Sequence, residues 1–135
     1  MNLFKSMATL LAVTTAVATD QTGNTYRIET AAEDGVKDHE QEFQFYFYGN
    51  QSGGASSPTS QIKIQTSPDN ENWADLVEST QLTADGDLAE TKSHATLPLL
   101  KFVRAVTVLG GGTKPNHTCE VRIVSNGSFR TKTVG

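Results

Sequence analysis

Chemistry in a chain this short must come from a few side chains, and the histidines are the first to inspect. His39, His94 and His117 are scattered, with no His-x-x-x-His spacing to set two imidazoles on one helical turn around a catalytic zinc. A single cysteine, Cys119, excludes an intrachain disulfide framework and a cysteine-based zinc site. It alternates with Val121 and Ile123, where a cysteine behaves as a small inert hydrophobe rather than a nucleophile. There is no Gly-x-Ser-x-Gly elbow, and Gly110-Gly-Gly112 precedes a strand rather than a helix, so it reads as a flexible connection and not a phosphate cradle. The acidic turn Asp69-Asn-Glu-Asn72 and the pair Asp85 and Asp87 carry oxygens suited to calcium, but neither amounts to a full calcium-binding loop. No pair of carboxylates stands in an identifiable aromatic-lined setting for glycoside hydrolysis. The expectation is a protein that is not an enzyme, with no catalytic residues, no metal and no cofactor.

The elements that would position any site are strands. The 135 residues suffice for one domain and one core, and eighteen threonines favour pleated, half-buried surfaces over helices. A net charge of −4 provides no general attraction for phosphate backbones, so nucleic acid is not an expected partner. The modest apolar share, 36%, argues against a membrane span.

Period-two alternation is clearest at Glu42 to Tyr48, where Phe43, Phe45 and Phe47 share one face and Gln44, Tyr46 and Tyr48 the other. Gly49 to Ser60 reads as a long surface loop. Gln61 to Gln65 alternates again, and the turn Ser67-Pro-Asp-Asn-Glu-Asn72 returns the chain through Trp73 to Val77 as a hairpin. Asp85-Gly86 marks a turn between Ser79 to Ala84 and Asp87 to Thr96. The run Leu99 to Leu109 follows Pro98, and His117 to Val124 is a further strand whose expected mate is Phe129 to Val134. No window shows a helical apolar period. The predicted fold is all-β: an antiparallel β-sandwich of jelly-roll type with about eight to nine short strands. It is read as a single domain over residues 1–135, with an extended amino-terminal segment over about residues 1–20.

Two stretches have competing readings. Lys5 followed by Met7 to Ala18 has the outline of a secretory signal, but its three threonines and the pairing of Val13 with Val17 favour a strand. Were it a signal, the triplets at Asn50, Asn116 and Asn126 would be glycan acceptors. Glu29 to Glu42 is dominated by acids and reads as a solvated loop, or else as an electrostatic contact with Arg130 to Lys132 of a second copy.

The outer rows carry the functional expectation. Val103, Ala105 and Thr107 form one row, while Phe102, Val106 and Val108 form the other, interrupted by Arg104. A strand wet on one side should be polar there. With Tyr46 and Tyr48 also on an outer row, the expected interface residues are Tyr46, Tyr48, Phe102, Arg104, Val106 and Val108, covered either by the chain's own amino-terminal segment or a loop, or by a subunit.

At Thr9 to Ala18, Gln61 to Trp73 and Lys101 to Thr107 the chain resembles small β-sandwich virion proteins of tailed bacteriophages. The matching positions are Phe43 to Phe47, Ser67, Asp69 and Trp73 in a Ser-x-Asp-x-x-x-Trp hairpin, and Phe102, Val103, Arg104 and Ala105. The resemblance implies a structural role at the virion surface: a capsid decoration or cement protein, or a tail or neck accessory protein. Its partners would be the major capsid protein and copies of itself in a homotrimer. It also implies that Trp73 anchors its hairpin in the core, and that the amino terminus and the Gly49 to Ser60 loop lie over neighbours. The alternative is a carbohydrate-binding sandwich module, with Trp73, Tyr46 or Tyr48 as a stacking platform.

Overall fold

A computed structural model describes residues 6–30, 43–54, 56–93, 101–125 and 129–134. The strands are β1 (Ser6–Val17), β2 (Thr25–Thr30), β3 (Phe43–Ser52), β4 (Thr59–Ser67), β5 (Ala74–Glu78), β6 (Gly86–Ser93), β7 (Phe102–Gly110), β8 (Asn116–Ser125) and β9 (Phe129–Val134). They form two antiparallel sheets, ordered β1-β8-β3-β6 and β5-β4-β7-β2-β9. β1 pairs with β8, β2 with β7, β3 with β6 and β4 with β5. That nesting is a long antiparallel ribbon rolled up so that alternate pairs fall in opposite layers, which is the jelly roll, with β9 added to one edge.

Alternation builds the core. Phe43, Phe45 and Phe47 of β3 and Val121 and Ile123 of β8 point inward from one sheet. Ile62 and Ile64 of β4, Val103 and Ala105 of β7 and Ile28 of β2 meet them from the other. Each of these side chains larger than Ala105, fully buried, contributes about 1.5–3 kcal/mol against exposure.

Several elements differ from the sequence expectation for identifiable reasons. Residues 49–52 do not begin a loop: the ladder with β8 runs on to Ser52 opposite Asn116, so β3 gains four residues and the connection to β4 shortens. Ser79 to Ala84 forms no strand and contributes one bridge, Leu82 with Ser60. β9 does not pair with β8, because both sides of β8 are already occupied by β1 and β3. It pairs instead with β2, and Phe129 packs edge-on against Phe43 with ring centroids 5.4 Å apart. Gly111 sits in a tight turn rather than a slack connection: its φ is 104°, and a Cβ there would lie 2.0 Å from the carbonyl oxygen of Ser57.

Within the described residues, the amino-terminal stretch is extended as a strand of the four-stranded sheet and does not cover the outer face of β7. Residues 6–17 are β1, with a bulge that turns Leu10 into the core. The segment after it runs along the edge of β7: Gly23 N–H donates to Ala105 O and Thr107 N–H to Gln21 O, each at 2.8 Å. Leu109 N–H donates to the Asp20 carboxylate at 2.8 Å. These contacts complete the backbone of β7 beyond the short β2. Most of the acidic stretch lies outside the described residues, but at its start Glu29 stands opposite Arg130 of the same chain.

Candidate functional site

The six residues expected to make one interface fall on opposite sides of the molecule. Tyr46 and Tyr48 project from β3 on the outer face of the four-stranded sheet, while Phe102, Arg104, Val106 and Val108 project from β7 on the outer face of the five-stranded sheet. The sequence alternation assigned each residue to an outer row correctly. Which layer each strand joins is a matter of topology, and it splits the set in two.

On the five-stranded sheet the outer row of β7 runs beside a polar network. Arg104 lies between Val106 and Phe102 and opposite Gln65 on β4, to whose side-chain oxygen its Nε donates at 2.8 Å. Gln65 Nε2 donates onward to Asp75 at 3.0 Å, and Lys63 bridges Asp75 and Glu78 at 3.4 and 3.5 Å. The Gln65 hydrogen bond is the main reason the Asp75 carboxyl is held below its ordinary value, and Asp75 in turn raises Lys63. Trp73 is outside the core, contrary to expectation: it is half-buried, with the Arg104 guanidinium 4.1 Å from its ring centroid. Because Trp73 precedes β5 and Arg104 stands on the outer row of β7, the ring is drawn over the sheet surface rather than between the layers. One face of the indole is therefore occupied, and Trp73 is not a free stacking platform. Phe102 and Val106 are half-buried, and Val108 is 42% exposed.

On the four-stranded sheet, Tyr46 and Tyr48 are flanked on one side by the short residues Thr91 and Ala89 of β6 and on the other by the longer Arg122 and Glu120 of β8. The result is an open groove of about 690 Å³, closed at one end by Met7 of β1, Gln44 and Val124. Arg122 is fixed by an ion pair with Glu120, and its Nη1 donates to the sulfur of Met7 at 3.4 Å. Asp87 accepts from Asn50 Nδ2 at 2.6 Å and from the Tyr48 hydroxyl at 3.3 Å. The nearby Asp87 charge raises the Tyr48 pKa. Alternation along the chain places Gln44, Tyr46 and Tyr48 on one row, whereas Met7, Thr91, Glu120 and Arg122 join them only through the order of the strands. The outward alternation of Glu120 and Arg122 was visible, but nothing in the sequence says that β8 is the neighbour of β3.

Of the remaining chemical candidates, His39 and His94 lie outside the described residues, and the others are engaged within the fold. The Asp69 carboxylate accepts from the backbone N–H groups of Asn72 and Glu71, each at 2.9 Å, and these hold its pKa well below the usual carboxylate range. Asp85 accepts from Gly54 N–H at 2.9 Å. Among the described residues no three histidine, cysteine or acidic side chains cluster in a way that would hold a metal ion. Cys119 is buried and its thiol is pushed up to about 11, chiefly by desolvation. His117 is buried opposite Gln51, and desolvation lowers its pKa. No helix among the described residues is long and apolar enough to cross a membrane.

Comparison with known proteins adds no identification: no family model matches the chain, and neither does any curated protein.

Proposed function

We propose that the protein is a non-enzymatic structural protein of a tailed-phage virion, a decoration or cement protein that binds the assembled capsid surface as a homotrimer and stabilises it. The observation that carries this reading is the outer row of β7. A sandwich face that meets water alternates apolar inward and polar outward, yet Phe102, Val106 and Val108 are outward and Val108 is 42% exposed. A row of this kind, bordered by the Arg104–Gln65–Asp75 network, has the composition of a contact that also needs orientation: apolar atoms to exclude water, charged groups to fix register. The resemblance of the Ser67 to Trp73 hairpin and of the Phe102 to Ala105 strand to phage sandwich proteins supports the same role. A rigid jelly roll suits it, since the protein must bridge subunits that are already folded. Many weak contacts repeated around a shell stabilise it through avidity.

The test is to mix the protein with capsids that lack it, before and after expansion. Saturable binding at a fixed copy number, together with capsids that withstand more heat or chelator, is the expected result. Absence of binding in every expansion state sinks the reading. A tail or neck position is distinguished by labelling the bound protein on whole particles.

A further inference from the structure

We propose that the groove on the outer face of the four-stranded sheet is a saccharide-binding site for a short neutral oligosaccharide lying along β3 and β8. Its volume of about 690 Å³ falls within the range of sites that take small organic ligands. Tyr46 and Tyr48, two residues apart on β3, set two rings roughly 7 Å apart along the strand. Such a pair presents flat apolar surface with a polar tip, to which the C–H faces of successive sugar rings can stack. Around the rings stand the groups that vicinal hydroxyls require: the Glu120 carboxylate and Arg122 guanidinium on one side and the Gln44 amide at one end, while just beyond the other end Asp87 accepts from the Tyr48 hydroxyl. They are already ordered. Arg122 is held by Glu120 and Met7, and Asp87 by Asn50, so little side-chain freedom remains to be lost on binding.

Other ligand classes fit less well. A phosphate chain or single-stranded nucleic acid requires a positive groove, and here the Arg122 charge is neutralised by Glu120 with Asp87 nearby. An added peptide strand requires a free sheet edge, but the groove lies over β3 and β8, each hydrogen-bonded to a strand on both sides. The opposite face has a different character, with its indole ring under Arg104 and its exposed apolar side chain, Val108, an aliphatic one.

The proposal is independent of the capsid role, because it is tested on the isolated full chain. The probes are hexasaccharides of glucose, mannose, galactose, rhamnose and N-acetylglucosamine, arrayed and then titrated by calorimetry. The expected result is saturable binding of at least one of them. Tyr46→Ala and Tyr48→Ala should each weaken it about tenfold or more, with Tyr48→Phe largely restoring it and Val108→Lys on the other face leaving it unchanged. Thermal melts of each variant separate lost binding from lost folding. The proposal is overturned if no probe binds at millimolar concentration, if folded Tyr48→Ala binds as well as the parent chain, or if that variant changes the oligomer mass instead.

Discussion

The two outer faces of this sandwich share one core and differ in how they treat their aromatic and charged groups. On the four-stranded sheet the arginine is paired with the carboxylate beside it in the groove wall, and the tyrosine rings keep an open side. On the five-stranded sheet the arginine caps the tryptophan, and the large apolar side chain that remains open is aliphatic, Val108. The lesson is that a count of outward aromatics says little about a surface. What decides its use is whether the nearest cation covers the ring or stands beside it.

That contrast can be broken or sharpened by substitution. The largest effect should come from beneath both faces: Phe45→Ala removes a fully buried ring from the centre of β3 and is expected to cost about 3–5 kcal/mol, read as a drop in the denaturant midpoint. It should damage both faces together. Phe102→Glu is next. Because Phe102 is half-buried and outside the core, the variant should fold but lose self-association by tenfold or more in sedimentation, and Tyr48→Ala should not. A Phe102→Glu chain that unfolds outright would make Phe102 a core residue and remove the basis for an interface on that face. Smaller again, Arg104→Ala should cost about 0.5–1 kcal/mol and shift the Trp73 emission, since it uncovers the indole. An unmoved emission would show that the stacked pair does not persist in solution.

The smallest effect is one of pH. Burial disfavours the charged form of His117, so its folded-state pKa lies below the ordinary 6.5. As pH falls through that ordinary value the unfolded chain takes up the proton first, and stability declines until the folded-state pKa is reached. Denaturant midpoints should therefore fall from neutral pH towards pH ~5, and His117→Gln should flatten that slope; an unchanged slope would place its origin elsewhere. The Asp69 turn acts in a lower window: its depressed pKa contributes stability that is lost only as pH falls below the ordinary carboxylate value.

Much of the architecture was legible in the residues. Phe43, Phe45 and Phe47, Ile62 and Ile64, and Val121 and Ile123 alternate with polar partners and are buried as that alternation requires. The Ser67 to Asn72 turn was legible for the same local reason, because Ser67 and Asp69 satisfy backbone N–H groups two and three residues along the chain. Trp73 was misplaced because its position is set by Arg104, thirty-one residues away in sequence. β9 was misassigned because a short turn suggests a hairpin, whereas pairing depends on which edges are still free.

The sequence by itself determined the class of fold, the inward and outward faces of β3, β4, β7 and β8, and a net charge of −4, but it gave no mark of β2. Those properties follow from period two and from composition, which are local and additive. Only the tertiary structure decided that Tyr46 and Phe102 belong to opposite surfaces, that Glu120 and Arg122 wall a groove, and that an arginine covers the tryptophan. These depend on which strands become neighbours in a rolled ribbon, and contacts between residues far apart in the chain leave no periodic mark along it.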